Sequence, residues 1–544
     1  MTEKIKQTLK DSALMRWFTL ILVSGLTFGT YWFQDFFAGL KPLLESQMGI
    51  TSSEFGLMIS FTTAANILGM IIVGGIILDK WGIRVSGVMY GAIATLGSAT
   101  TALAASGFFG DSKSTILLFM IIGRILFGIG LEVTCVVVLR TLVKWFKGYE
   151  LALAMAISMG FGRLGSAMGT AISPEIGDGI VQPAITFAAT LIGIGLIMFI
   201  VYLMFDVKVD KQLKAEAEEG GEDESFKFKD LFQLVTNRSF ILIALLCVIF
   251  YSAVFPFMQY APDLLINKFG FTFDLPASTP PIIIFGSATA GNVMVYLVLF
   301  LFGISFPVIP SKMKEKSMKI ISILIIGILF VAFLYFIRGT LAEWLRNGPK
   351  AASMIPMGTI LFTPIFGGYV DRKGKAASLM MLGALLLIFA HLSLSIFNIV
   401  ILGYLGLLSL GVAFSLLPAA MWPSVPKIVK KQQLGTAYAT MFTIQNLGLL
   451  IFFWGIGKVV DLVNPEIVAK IQDIRSGLEA KGLAAAEISE QIQAMKASGA
   501  IEPYNYTIPI AMLVVLGVGS IFLAFMLKKA DVKQGFGLEL PSNG

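Results

Sequence analysis

The sequence predicts an all-α polytopic membrane protein. It has two six-helix bundles and an extra two-helix insertion, giving fourteen spans in all. Composition, the spacing of apolar runs and a duplicated loop carry that expectation. The 544 residues are 56% hydrophobic and only 14% charged, with a mean hydropathy of +0.83. Soluble domains run near 45–50% apolar and about 25% charged, so this chain has too little polar surface to stay in water.

The same figures exclude several functions. One histidine and two cysteines leave no ligand set for zinc, haem or an iron–sulfur cluster, and no cofactor is expected. Cys135 and Cys247 sit in apolar runs, which removes a disulfide framework. The net charge of +7 is not gathered on one face, so nucleic acid is not an expected partner. There is no phosphate-binding G-x-x-x-x-G-K-[ST] loop and no nucleophile–base–orienter set, so the chain is not read as an enzyme or an ATP-driven pump.

A helix needs about 20 apolar residues to cross about 30 Å of hydrocarbon. Six such runs precede residue 206, near 17–39, 54–78, 85–106, 115–139, 150–173 and 183–205. The first is too long for a signal h-region and lacks a small-residue cleavage site, so it reads as a span. The N-terminal bundle is thus 1–205. A charged linker, 206–238, carries the acidic cluster Glu216, Glu218, Glu219, Glu222, Asp223 and Glu224. Eight runs follow, near 239–261, 281–309, 318–337, 351–370, 376–397, 399–421, 436–457 and 505–527, and make the C-terminal unit 239–527. Residues 528–544 are a tail. With both termini cytoplasmic, 28 of the 41 Lys and Arg fall in inside loops, as the positive-inside rule requires. Between the last two runs, Ile467, Ile471, Ile474, Leu478, Leu483, Ile488, Ile492 and Met495 repeat at helical spacing, predicting two amphipathic extracytoplasmic helices over 464–499.

Two loops repeat. Gly75, Asp79, Lys80, Gly82 and Arg84 recur as Gly367, Asp371, Arg372, Gly374 and Lys375, with the two aspartates 292 residues apart. Leu43, Leu44, Gly49 and Thr51 recur 221 residues later as Leu264, Leu265, Gly270 and Thr272. The difference of 71 residues places a helical hairpin at about 273–343, inside the second half. The loop G-x-x-x-D-[RK]-x-G-x-[RK], found twice at these places, resembles the hallmark of the major facilitator superfamily. The resemblance implies that family's fold and solute transport without covalent chemistry. As a cytoplasmic gate, Asp79 is expected to pair with Arg140 or Arg84, with Asp371 and Arg372 as the second copy.

Few ionisable residues lie within the spans, and each is costly there, about 2.5–3.5 kcal/mol at a helix centre. They are Arg124 and Glu132 on the fourth, Arg163 on the fifth and His391 on the ninth, with Asp35 nearer the outer end of the first. Arg124, Gly128 and Gly130 match the superfamily's fourth-helix pattern R-x-x-x-G-x-G, whose arginine faces the central cavity in relatives. Counted from the expected span ends, Arg124 and Arg163 share a depth and Glu132 lies about 10 Å nearer the cytoplasm. His391, alone on an apolar helix, reads as packed. Tyr31, Gln34 and Asp35 on helix one and Tyr251, Gln259 and Tyr260 around Pro256 on helix seven are further cavity candidates.

The Glu132–Arg163 pair, with Asn267, Lys268, Phe269 and Gly270 closing helix seven, is similar to a lysosomal dipeptide-carrier family within the superfamily. That similarity implies Glu132 for the α-amine and Arg163 for the carboxylate of a dipeptide. The hairpin and the long segment before the last helix depart from that family's pattern. The expected function is therefore transport of a small zwitterionic solute, first a dipeptide, by alternating access. The substrate-binding candidates are Glu132, Arg163, Arg124, Tyr31, Tyr251 and Gln259. A small organic or inorganic anion, nitrate- or dicarboxylate-like, is the second reading, and a non-transporting receptor on a carrier fold the third. Partners are the solute and the bilayer, with proton coupling and an accessory subunit left open. A cell membrane is preferred over a lysosome-type one.

Overall fold

The computed structural model describes residues 9–213, 228–273, 286–430 and 433–541. The acidic cluster expected in the linker, Glu216 to Glu224, lies outside them. Inside a bilayer only internally bonded backbone is tolerated, and the described chain is helical almost throughout, with one isolated bridge between Thr272 and Asn347.

The first half comprises α1 (Ala13–Met48), α2 (Ser52–Ile67), α3 (Met70–Ala105), α4 (Lys113–Phe146), α5 (Leu151–Ile176) and α6 (Val181–Leu213). Here α1 packs on α5 and α6, and α3 on α4 and α6. A short α7 (Phe228–Thr236) leads into α8 (Arg238–Phe269). The insertion supplies α9 (Ala288–Lys312), α10 (Lys316–Phe336) and α11 (Arg338–Arg346). The second half continues with α12 (Gly348–Lys373), α13 (Ala376–Ser395), α14 (Val400–Met421), α15 (Val425–Ile428), α16 (Leu434–Val463), α17 (Pro465–Ala480), α18 (Ala485–Ala497) and α19 (Thr507–Gln534). There α13 packs on α14 and α19, and α8 on α16, α19 and α12.

Twelve helices among the described residues are long and apolar enough to cross a membrane. The two expected crossings outside that set are informative. The run 54–78 is divided between the 16-residue α2 and the start of α3, broken at Gly69, whose φ of 86° ends one helix and opens the next. The run 150–173 forms α5, whose 26 residues are long enough to cross. The chain reverses within α3 at Gly82, where φ 72° and ψ 175° suit only glycine.

The duplication is visible in the backbone. Gly49 and Gly270, the 221-residue pair, both close their helices in the left-handed region, at φ 67° and 69°. Each carries the same pair of terminal bonds, Gly49 N to Glu45 O and Ile50 N to Leu44 O, Gly270 N to Ile266 O and Phe271 N to Leu265 O. Gly82 and Gly374, the 292-residue pair, have φ of 72° and 70°. The insertion departs and returns at one point: Thr272 N bonds Arg346 O at 2.7 Å, and Gly348 N bonds Thr272 O at 2.9 Å. Of α10 only Ile326 is buried, as befits a helix facing lipid.

Candidate functional site between the bundles

The turn just before α1 meets the end of α6 (Leu9 N to Gln212 Oε1, 2.9 Å), and the start of α8 meets the end of α19 (Ser239 Oγ to Gln534 Oε1). This is the terminal side. On the opposite, distal side, Lys41 near the end of α1 meets Asp263 near the end of α8.

Depth along the helices separates the candidates. The fourth helix extends to Phe146, beyond the expected end at 139, because Thr141, Leu142, Trp145 and Phe146 are buried against the bundle and hold its last turns. Glu132 therefore lies 14 residues from that end and Arg163 12 residues from the start of α5, both about 20 Å in from the terminal side. Arg124 lies 22 residues in, about 12 Å deeper than Glu132. Glu132 thus shares its level with Arg163, and Arg124 does not.

Glu132 and Arg163 are each half-buried, and among the described residues neither forms an ion pair. Tyr31 of α1 lies near enough to interact electrostatically with both and with Cys135. Cys135 stands one turn from Glu132 on the same face of α4, a spacing that sequence reasoning could have used. Arg163 reaches across to the second half, its guanidinium 4.5 Å from the centre of the Phe414 ring on α14.

Arg124 is fully buried, and its guanidinium is committed. Nε donates to Thr62 Oγ1 (2.8 Å) and Nη1 to Phe33 O (2.9 Å), with a longer bond to Gln34 O (3.4 Å). Phe33, Phe37 and Phe127 surround it with ring centres 5.3–5.5 Å away. It ties α4 to α1 and α2. Asp35, nine-tenths or more buried, accepts from Ser166 Oγ of α5 and from Gln259 Nε2 of α8 at 2.8 Å. Gln259 is thereby engaged in joining the two halves. His391 is buried with its ring nitrogens against Leu387 O and Ala253 O, a packed position.

The second half meets Arg163 with aromatic rings. Tyr251 stacks on Phe255 (5.4 Å) and accepts from Trp422 Nε1 (2.9 Å). Phe255 lies edge-on to Phe414 (5.3 Å), and Trp422 stacks on Phe442 (5.0 Å). Sequence reasoning missed all but Tyr251, because Trp422 and Pro423 read as a span end.

The distal side is shut by charge. Lys41 and Asp263 are 2.6 Å apart with side chains 3% and 2% exposed, and Tyr506 also donates to Asp263. Glu45 of α1 takes Lys496 of α18 at 2.7 Å and the Tyr504 hydroxyl. Burial and Glu45 push that phenol above the usual tyrosine range, so it stays a donor. The segment between α16 and α19 thus lies over the end of α1, with Ser489 Oγ 2.8 Å from Ser46 Oγ. Glu175 of α5 pairs with Lys350 of α12 at 2.6 Å, and Asn292 of α9 donates to both its oxygens. Among the described residues, every ion pair between the halves is distal.

On the terminal side, Asp79 pairs with Arg140 at 2.5 Å, resolving the expected choice. Arg84 instead bonds Asp206 and Asp210, as does Lys144. These pairs join helices of one half and do not bridge the two. Asp371 and Arg372 form no ion pair among the described residues. The tail takes that place: Glu539 accepts from Ser378 N (2.9 Å) and Ser378 Oγ (2.8 Å) at the start of α13.

Two bundles of membrane-length helices tied at their distal ends by buried ion pairs have the architecture of a membrane-embedded solute carrier. The profile of the Major Facilitator Superfamily matches residues 20–347, and the chain belongs to that family. It is an integral, multi-pass membrane transporter, and its relatives are transporters rather than enzymes. It is 26% identical to the lysosomal dipeptide transporter MFSD1 of Danio rerio over 461 residues, covering 82% of this chain and 81% of the relative. The Homo sapiens protein of that name is 25% identical over 465 residues, covering 82% and 80%. Among solved structures, a bacterial homologue of the human lysosomal transporter Spinster superposes with a TM-score of 0.59 at 12% identity, covering 96% of this chain and 98% of its own. The nucleoside transporter NupG superposes at 0.54 and 13% identity, covering 94% and 98%. These structures share the fold.

Proposed function

We propose that this transporter carries dipeptides by alternating access, with Glu132 holding the α-ammonium group and Arg163 the carboxylate. The observation that carries the reading is a half-buried acid and base at one depth, unpaired among the described residues, with Arg163 facing the second half. Ionised groups in a membrane interior are expensive unless paired or hydrated, so a solute bearing the complementary charges is the natural occupant. Tyr31 beside both, and Tyr251 and Phe414 beside Arg163, complete the surroundings. The relatives named as dipeptide transporters favour the same substrate. The anion reading has less support, because Arg124 is bonded to Thr62 and to main-chain carbonyls and does not join Arg163.

The distribution of Lys and Arg supports a cytoplasmic terminal side; in this reading Lys41–Asp263, Glu45–Lys496 and Glu175–Lys350 form a closed outer gate. Transport is facilitative in this reading, and uptake with and without a pH gradient tests that. The central experiment is thermal stabilisation of the purified protein by Ala-Ala, N-acetyl-Ala-Ala and Ala-Ala amide. The free dipeptide is expected to raise the unfolding midpoint and each blocked form to lose most of that shift. Equal shifts from all three would sink the two-charge site, and a shift from nitrate or succinate alone would replace it with the anion reading.

A further inference from the structure

The charges at the site bind groups that every dipeptide has, so Glu132 and Arg163 cannot choose among dipeptides. Selection has to come from whatever meets the solute's side chains. The described spans of the second half carry no ionised side chain at the level of Arg163. They present instead a contiguous set of rings. Arg163 lies 4.5 Å from the centre of Phe414, Phe414 meets Phe255, Phe255 stacks on Tyr251, and Tyr251 fixes Trp422 through its hydroxyl. Trp422 in turn stacks on Phe442. Phe255, Trp422 and Phe442 are only partly buried, unlike rings consigned to a core. The Tyr251 hydroxyl accepts the indole N–H, which locks the plane of Trp422 and leaves the phenolic proton free to donate.

We infer that this wall, with Trp422 as its anchor, is the seat for the side chain of the solute's C-terminal residue and selects dipeptides whose second residue is aromatic or bulky and apolar. The inference rests on the proposed role of Arg163. A carboxylate held by Arg163 leaves the side chain on the adjoining Cα one bond away, against Phe414 and the rings beyond it. The side chain of the first residue lies toward Glu132 on the other bundle, away from the wall. Aromatic surfaces reward such a ring through area burial and through edge or offset contacts.

The test compares binding of Ala-Phe, Phe-Ala and Ala-Ala to the purified full chain, as wild type, Trp422→Phe and Trp422→Ala. Wild type is expected to bind Ala-Phe about tenfold more tightly than Ala-Ala, with Phe-Ala close to Ala-Ala. Trp422→Ala is expected to weaken Ala-Phe binding more than Ala-Ala binding and so remove most of that preference, and Trp422→Phe falls between. Affinity falling in the same proportion for all three peptides would make Trp422 merely structural and overturn the seat. So would wild-type preference for Phe-Ala, or none, and that comparison stands even if a variant does not fold. Wild type binding none of the three peptides would remove the dipeptide reading and the seat with it, whereas equal binding of all three removes the seat alone.

Discussion

The two halves share a backbone plan and differ in what they put inside it. Their duplicated helix ends are closed by glycines at φ 67° and 69°, and their duplicated loops turn on glycines at φ 72° and 70°. Yet between the halves, the first presents Glu132, Arg163 and Asp35, and the second presents Tyr251, Phe255, Phe414 and Trp422. Positive φ admits few residues besides glycine, so those positions stay alike in both copies. Interior side chains are held only by volume and by what they must bind, and there the copies have separated into a charged face and an aromatic one.

The sharpest way to break the comparison is to remove the charge. Glu132→Gln and Arg163→Gln are each expected to weaken Ala-Ala binding by about ten- to a hundredfold, the range for a hydrogen bond to a charged group. Titrations of N-acetyl-Ala-Ala should show no further loss with Glu132→Gln, since the peptide lacks the group that Glu132 holds.

A buried pair across the seam comes next. Lys350→Met strands the Glu175 carboxylate among Asn292 and apolar neighbours and is expected to cost about 3–5 kcal/mol, read as a lower unfolding midpoint. The double substitution with Glu175→Gln should recover most of that stability and favour distal opening, measured as a longer spin-label distance between the ends of α5 and α12. Arg124→Lys keeps the charge and loses carbonyl bonds. It is expected to cost about 1–3 kcal/mol of stability while leaving dipeptide affinity per folded molecule unchanged in titration, which separates a bracing arginine from a binding one.

The smallest effects distinguish the two loops. Asp79 and Arg140 are 33% and 46% exposed, so Asp79→Asn should cost under about 1 kcal/mol in thermal unfolding. Asp371→Asn, with no ion pair to lose among the described residues, should leave the midpoint where it is, whereas Glu539→Gln should lower it by loosening the tail from α13.

Much of the fold was legible because a bilayer reads sequence simply. Apolar length, the 28 Lys and Arg assigned to inside loops, and glycines at matching offsets are one-dimensional quantities. Glu132 and Arg163 were legible for the same reason, since ionised residues stand out in apolar runs. Their shared level was not. Residues 140–146 carry Arg140 and Lys144 and read as loop, and only the burial of Trp145 and Phe146 against the bundle, with Lys144 bonded to Asp206, extends the helix and shifts the depth of everything on it. Nor could spacing say that Arg124 is spent on the carbonyls of Phe33 and Gln34, or that Trp422 finds Tyr251.

What the sequence determined by itself is the family, the helical plan, the duplication and the existence of an insertion, because each follows from local composition or from backbone conformations that only glycine accepts. Which charges are paired, which rings form a wall and which end is closed were decided by tertiary structure. Those depend on distances between helices far apart in the chain, and a buried charge means a brace or a binding site according to whether a partner stands within about 4 Å.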